Sequence, residues 1–287
     1  MNFLISIALL PAIVLLVYIY RKDGVEHEPV NLLVRLLGYG ALAVVPAIIL
    51  EMILGMFMPE RNAYLATAYE AFVVAALVEE SCKYFFLRRT WNHPAFDYQF
   101  DAIVYAVTVS LGFAAVENIE YVLQYGVSTA MVRAVTSIPG HAIFGVFMGY
   151  YFGMAKFSAG VGSRAGETHG RVFAVLIPIL MHGTYDFFAM CMNFDNMFTI
   201  PFFAFLALLY LLDRKIAWRE KLGKVLLCVI FLYSFADKSV SYIWHGFHTQ
   251  NGLPNRFAFL YVLILLVMSF DVLSHLKELA VWKITVC

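Results

Sequence analysis

The stretch Val78-Glu79-Glu80-Ser81-Cys82-Lys83 places two carboxylates and an amine inside an apolar run, residues 66–87, long enough to cross a bilayer. Charge at that depth costs at least ~2.5–3.5 kcal/mol per residue, so such groups usually face a bundle interior or a wet cavity and mark function. A structural ion pair is the alternative, because Glu79 and Lys83 are four residues apart on one helical face. That pair leaves Glu80 without a structural purpose. A functional site therefore requires other polar groups at the same depth.

The composition identifies an integral membrane protein. Of the 287 residues, 62% are hydrophobic and only 14% are charged, against about 45–50% and ~25% in soluble domains. The formal net charge is zero and no basic stripe or zinc-finger spacing appears, so the lipid bilayer rather than nucleic acid is the expected partner. The cysteines stand singly, which predicts small buried side chains rather than disulfides or a metal cluster: Cys82, Cys191, Cys228 and Cys287.

Continuous apolar runs without alternation predict helices rather than a barrel. A bilayer core of about 30 Å needs ~20 mostly apolar residues per helix. By that criterion nine spans are predicted, with eight as the alternative because two are short: residues 3–20, 32–58, 66–87, 101–124, 133–156, 172–192, 197–213, 222–243 and 256–275. No internal repeat or soluble domain is apparent. Residues 1–287 are therefore expected to form one all-α domain, a polytopic transmembrane helix bundle.

The distribution of Lys and Arg predicts the orientation of these spans. Alternate connections carry fourteen of these residues, whereas the opposite side has only Arg61, Arg133 and Arg256. Because positively charged connections face the cytoplasm, nine spans place the N-terminus outside and the C-terminus inside the cell. The expected location is the cell membrane, as a multi-pass protein.

The fourth predicted span carries a carboxylate at membrane depth. Phe113, Glu117 and Tyr121 recur every four residues and therefore lie close to one stripe of the helix, with Asn118 beside them. A hydrogen-bonded packing contact between helices is the structural explanation. Because Glu117 has no nearby cation in its own helix, function is favoured over that explanation.

The fifth predicted span carries a histidine on a face of small residues. Its helix is expected to begin near Pro139-Gly140-His141, with Arg133 in an interfacial or re-entrant segment that leads into it. Glycines then follow His141 at steps of four and allow a neighbouring backbone to approach closely: Gly145, Gly149 and Gly153.

The sixth predicted span carries a histidine and a carboxylate on one face. His182 and Asp186 are four residues apart, so the carboxylate can orient and stabilise the imidazole. Pro178 precedes His182 by one turn and predicts a kink there. A His-xxx-Asp pair is a weak motif by itself, and it gains weight from the three preceding spans.

Four consecutive spans thus place six ionisable groups at membrane depth, which predicts acid–base chemistry: Glu79, Glu80, Glu117, His141, His182 and Asp186. Two mechanisms remain open. In one, Glu79 or Glu80 activates water for attack on a peptide carbonyl, while the two histidines stabilise the oxyanion or protonate the leaving amine. In the other, two histidines and a carboxylate hold Zn²⁺, whose bound water attacks. The sequence contains no HExxH signature, which would have favoured zinc.

Four motifs, in sequence order, resemble the PrsW family of bacterial intramembrane proteases, which is related to the CAAX prenyl proteases and the bacteriocin-processing membrane proteases: Glu79-Glu80-x-x-Lys83, Phe113-x-x-x-Glu117-Asn118-x-x-Tyr121, Pro139-Gly140-His141 and His182-x-x-x-Asp186. The resemblance covers residues 66–192, which we treat as the core of the domain. The last predicted spans, residues 197–275, lie outside it and are expected to dock a substrate or to complete the bundle.

The resemblance implies an endopeptidase that makes the first cut in a membrane-anchored anti-sigma factor during a stress response. A single-pass membrane protein is therefore the expected partner. It also implies that Glu79, Glu80 and His182 are essential. The related prenyl proteases activate water with a glutamate and histidines without an obligatory metal, which favours the glutamate mechanism. No cofactor is therefore expected, and zinc held by Glu117, His141 and His182 is the alternative.

The supporting residues of the expected site are Lys83, Asn118 and Tyr121. Glu79, four residues before Lys83, is expected to be a held, ionised carboxylate, which leaves Glu80 freer to act as the base. The predicted depths favour a cavity that opens towards the outer face of the membrane.

Two other functional classes use similar residues. A proton- or metal-coupled transporter also carries intramembrane Glu and His, but carriers often contain inverted repeats and paired broken helices, and this chain shows no repeat. A non-catalytic receptor or immunity protein on the same scaffold is the third class. The complete set of acid–base residues favours the protease.

Overall fold

The computed structural model describes residues 2–22, 27–59, 62–135 and 137–191, and this part of the chain contains helices and no strands. The predicted all-α class is confirmed. In chain order the elements are α1 (Asn2–Lys22), α2 (Val30–Gly55), α3 (Ala63–Tyr69), a π-helical segment (Glu70–Ala76), α4 (Leu77–Leu87), a 3₁₀ turn (Arg88–Thr90), α5 (Gln99–Tyr125), α6 (Val127–Val135), α7 (Ser137–Gly160) and α8 (Arg164–Cys191).

Four of these helices are long and apolar enough to cross a membrane by length and composition: α1, α2, α5 and α8. They correspond to the first, second, fourth and sixth predicted spans. The third predicted span corresponds to α3, the π-helical segment and α4 together, and the fifth to the end of α6 and most of α7. The count of nine spans is not confirmed, and the spans predicted at 197–213, 222–243 and 256–275 lie outside the described residues.

Helix α5 forms the centre of the bundle, because every residue from Phe100 to Ala115 is buried. It packs against α1, α2 and α7. The glycine face predicted on α7 lies in the contact with α5: a Cβ at Gly145 would lie 2.9 Å from the Cα of Val107. These two helices therefore pack with their backbones almost in contact, as the small-residue pattern predicted.

The π-helical segment brings α4 close to α8. Phe72, in this segment, packs so tightly against Gly183 of α8 that a Cβ there would lie 2.8 Å from the ring carbon Cε1. Single π-helical turns within α-helices are frequent at functional sites. Here the π-helical segment lies directly before the helix that carries Glu79 and Glu80. It packs against Gly183, the residue that follows His182.

The separate lead-in predicted before the fifth span is confirmed. Arg133 lies on the short helix α6, and α7 begins at Ser137. Pro139 lies in the first turn of α7, where its missing N–H does not break the helix. Helix α8 runs through Pro178. The described cysteines, Cys82 and Cys191, are buried, as predicted.

Replacing Gly149 with alanine is expected to push α5 and α7 apart. The new Cβ would lie 2.5 Å from the Cα of Ile103 and 2.8 Å from the carbonyl carbon of Ala102, and overpacking typically costs about 1–3 kcal/mol. Thermal unfolding of the purified protein in detergent measures the effect as a lower melting temperature. Gly38→Ala is the matched control, because no atom lies within 4 Å of a Cβ there. Equal melting temperatures for the two variants would contradict the tight seam.

Candidate active site

The α4 residues of the candidate site form a buried ion cluster. The Nζ atom of Lys83 lies 3.0 Å from Oε2 of Glu79 and 2.7 Å from Oε1 of Glu80. Spacings of three and four residues place all three side chains on one side of the helix. The predicted pair of Glu79 with Lys83 is therefore present, but Glu80 is bonded to the same ammonium at a shorter distance. Pairing with Lys83 does not distinguish the two glutamates.

Helices α5 and α7 extend this cluster through a histidine. Nδ1 of His141 lies 3.1 Å from Nζ of Lys83, and its Nε2 lies 2.8 Å from Oε2 of Glu117. The ring of Phe113 lies beneath the ammonium, 4.3 Å from Nζ to the ring centroid, where a cation is attracted to the π-face. The glycine seam between α5 and α7 is what holds Glu117 and His141 at this distance.

Helix α8 completes the cluster from the other side. Nδ1 of His182 lies 3.0 Å from Oε1 of Glu80, and its Nε2 lies 3.1 Å from Oδ2 of Asp186. The predicted contact between His182 and Asp186 is thus present. Phe144 of α7 stacks on the imidazole with ring centroids 4.8 Å apart, so packing as well as hydrogen bonding sets the orientation of the ring.

The hydrogen-bond partners assign the protonation of both histidines. An ammonium only donates, so Nδ1 of His141 accepts from Lys83, and its Nε2 carries the hydrogen that is donated to Glu117. His182 lies between the carboxylates of Glu80 and Asp186, and two ionised carboxylates both require a donor. The arrangement is therefore that of a neutral imidazole at 141 and an imidazolium at 182.

Four side chains from three helices converge closely enough to hold a metal ion. One potential ligand atom from each lies within 4.8 Å of the others, and all four residues are buried: Glu79, Glu80, His141 and His182. Two imidazoles and two carboxylates are a donor set that suits Zn²⁺. Oε2 of Glu80 is buried without a hydrogen-bond partner among the described residues, and an unpaired carboxylate oxygen is available to a cation or to a water. The residue types therefore fit a metal ion, whose binding would require His182 to release the proton from one ring nitrogen.

The accessibility of the cluster increases in one direction. The side chains of Glu80 and Lys83 are fully buried, that of Glu79 is 10% exposed, and those of Asp186 and Glu117 are 18% and 19% exposed. Both more accessible residues lie in the C-terminal halves of their helices, towards Tyr125 of α5 and Cys191 of α8. The more accessible side of the cluster therefore lies towards that end of the bundle.

The six predicted catalytic residues thus form one continuous network, and their catalytic roles remain a prediction. Lys83, predicted as a supporting residue, lies at its centre. Asn118 and Tyr121 contact it through Arg133, whose Nε donates to Oδ1 of Asn118 at 2.9 Å and whose guanidinium lies 4.0 Å from the centroid of the Tyr121 ring.

Two residues of the network were missed by the sequence analysis as site residues. Arg133 lies 3.0 Å from Glu117, and it is the only cation in sequence between Glu117 and Lys156. That isolation was a usable signal, because a buried carboxylate needs a cation. Phe144 carried no comparable signal, since an aromatic residue in an apolar run looks like any other core residue.

Comparisons with known proteins give two family-model matches and several named relatives. The family model described as PrsW family intramembrane metalloprotease matches residues 28–212, and one described as bacterial membrane protein YfhO matches residues 170–287. Protease PrsW of Bacillus subtilis is 35% identical over 71% of this chain and 90% of its own length. The proteins of that name from Geobacillus kaustophilus and Oceanobacillus iheyensis are 41% and 37% identical, over 64% and 74% of this chain and 78% and 94% of their own lengths. No solved structure matches the chain.

Replacing Lys83 with methionine is expected to destabilise the protein strongly. The substitution leaves two buried carboxylates without the cation that bonds to both, and breaking a buried pair in this way costs about 3–5 kcal/mol. A lower melting temperature of the purified protein in detergent measures the loss.

The control removes the charges that the substitution strands. A triple variant, Lys83→Met with Glu79→Gln and Glu80→Gln, should melt at a higher temperature than Lys83→Met alone, because no unpaired charge then remains on α4. A Lys83→Met variant with the melting temperature of the wild type would show that the ammonium does not balance the charges of the two glutamates.

Proposed function

The chain belongs to the PrsW family of intramembrane proteases, and from this we propose that it hydrolyses a peptide bond in a membrane-anchored substrate by means of a glutamate-activated water. The observation that supports this mechanism is the unpaired Oε2 of Glu80. Glu80 lies in a cluster with Glu79, His141 and His182. A buried carboxylate with one bonded and one free oxygen is suited to accept a proton.

Glu80 is the proposed general base. Its Oε1 receives hydrogen bonds from Lys83 and His182, which hold the carboxylate ionised and fix its direction. Its Oε2 then accepts the proton of a water as the water oxygen attacks the peptide carbonyl. Glu79 is also bonded to Lys83 and is more accessible, and in this mechanism it balances the ammonium.

The histidines serve the later steps of the proposed reaction. Attack of the water leaves a negative charge on the former carbonyl oxygen, which donors aimed into the site stabilise. The imidazolium of His182, held by Asp186, supplies a positive charge and a proton close to Glu80. When the C–N bond breaks, the leaving amine takes up the proton that Glu80 or His182 carries.

A metal-dependent version of the same reaction is the second candidate. It is favoured by the description of the matching family and by the four converging donors, of which His141 and His182 belong to the predicted zinc trio. Glu117, the third member of that trio, is bonded instead to Nε2 of His141. When bound, Zn²⁺ would act as a Lewis acid and lower the pKa of a water.

The proposed substrate is a single-pass membrane protein such as an anti-sigma factor, cleaved at the first of its processing sites. The cluster lies among helices apolar enough to span a membrane, so a substrate helix must reach it from within the bilayer or from its surface. The accessible end of the cluster is the one that the distribution of Lys and Arg assigns to the outer face. Cleavage near the extracytoplasmic end of the substrate fits that geometry.

Removing the base or the imidazolium is expected to abolish cleavage. Glu80→Gln and His182→Ala should each lower kcat by about 10²–10⁴-fold, the usual contribution of a general acid or base. Purified variants in detergent are compared on a single-pass membrane substrate. Glu120→Gln is the matched control, because it neutralises an exposed glutamate of α5 outside the cluster. Undiminished cleavage by both site variants would contradict the assignment.

The same assay with a chelator separates the two versions of the mechanism. Loss of wild-type activity on chelation, with recovery on adding Zn²⁺, selects the metal-dependent reaction. Unchanged cleavage in the chelator selects the glutamate mechanism. Proton or metal flux in liposomes without any proteolysis would instead indicate a transporter.

The proposed orientation predicts which positions are labelled from outside the cell. In a variant without the native cysteines, Ser128→Cys at the start of α6 should react with a membrane-impermeant maleimide on intact cells. Asn92→Cys, in the connection between α4 and α5, should react only after permeabilisation. Both native side chains are exposed. A difference in labelling therefore reports on which side of the membrane each residue lies, and not on burial within the protein. The reverse pattern would contradict the orientation.

A further inference from the structure

Arg133 reaches the cluster from a separate helix. Its NH2 nitrogen lies 3.0 Å from Oε1 of Glu117, as an ion pair without the alignment of a hydrogen bond. Its Nε donates to Oδ1 of the adjacent Asn118 at 2.9 Å. Only 11% of the side chain is exposed, and its guanidinium covers the face of the Tyr121 ring. The cation is therefore held on three sides.

The two oxygens of Glu117 have different partners. Oε1 faces Arg133 and Oε2 accepts from Nε2 of His141 at 2.8 Å. Because His141 donates through Nε2, its Nδ1 is left to accept from Lys83. Glu117 and Lys83 thus hold the His141 ring from its two nitrogens, and Arg133 is paired with the other oxygen of the same Glu117 carboxylate.

The position of Arg133 is itself fixed by the docking of α6. Nδ2 of Asn118 donates to the carbonyl of Ala8 in α1 at 2.7 Å, so that Oδ1 is turned towards Arg133. One turn before Arg133, Ala130 is fully buried in a cluster with Ala8 and Val122. A small buried residue and a paired arginine therefore anchor the same face of α6 against α1 and α5.

We propose that Arg133 is a positioning residue of this site, which orients Glu117 and through it the imidazole of His141. The inference rests on the proposed protease function. Arg133 contacts Glu117, Asn118 and Tyr121, so its effect on the four converging residues passes through Glu117. The alternative is that the guanidinium merely pins α6 to the bundle.

The two roles differ in what substitution does to turnover. If Arg133 positions Glu117, Arg133→Gln should lower kcat by about 10–100-fold, as loss of an outer partner typically does, with KM little changed. Arg133→Lys keeps a cation opposite Glu117 and should retain most of the activity. Because both residues act through one carboxylate, the double variant Arg133→Gln/Glu117→Gln should be no slower than Glu117→Gln alone.

The experiment measures kcat, KM and melting temperature for the full chain in detergent on a single-pass membrane substrate, beside Glu80→Gln and His182→Ala. Multiplicative losses in the double variant, an Arg133→Lys variant as slow as Arg133→Gln, or an Arg133→Gln variant that does not fold would each overturn the positioning role. Wild-type kcat in Arg133→Gln would also overturn it. If Glu80→Gln and His182→Ala cleave normally, the proposed function fails instead.

Discussion

The structure of the site depends on one buried ammonium. Lys83 is fully inaccessible and bonds to Glu79, Glu80 and His141. Unpaired, the charges of Lys83, Glu79 and Glu80 would each cost several kcal/mol in a low-dielectric interior. Together they are stable only while all of them stay in place, and this requires α4 and α7 to keep their distance from each other to within a few tenths of an ångström.

The helix packing supplies that constancy. Glycines at steps of four let α7 lie against the backbone of α5, which places His141 beside Glu117. The π-helical segment and Gly183 do the same for α4 and α8, which places Glu80 beside His182. In a bilayer the hydrophobic effect does not hold helices together, so close packing of small residues has to do so. The polar cluster and the small-residue seams are consequently two aspects of one constraint.

Much of this arrangement was predictable from the sequence, because spacing within a helix determines its faces. The pairs Glu79–Lys83 and His182–Asp186 followed directly from a separation of four residues, and the seam of α7 followed from its glycines. Contacts between helices did not follow. Nothing in the spacing showed that Lys83 would bond to both glutamates, that Nε2 of His141 would face Glu117, or that Arg133 would turn back from α6. These contacts depend on the rotation of each helix about its axis. The sequence pattern shows which face of a helix is polar, but not which atoms of that face meet those of a neighbouring helix.

The charge balance of the cluster bears on its chemistry. Four carboxylates, Glu79, Glu80, Glu117 and Asp186, face three cations, Lys83, Arg133 and the imidazolium of His182. An excess of negative charge in a buried site favours uptake of a proton or of a cation. Transfer of a proton from water to Glu80 leaves the net charge of the site unchanged, because the negative charge moves to the former carbonyl oxygen, where the imidazolium of His182 can stabilise it. Binding of a divalent cation would instead offset the excess negative charge, so the same residues also suit the metal-dependent version of the mechanism.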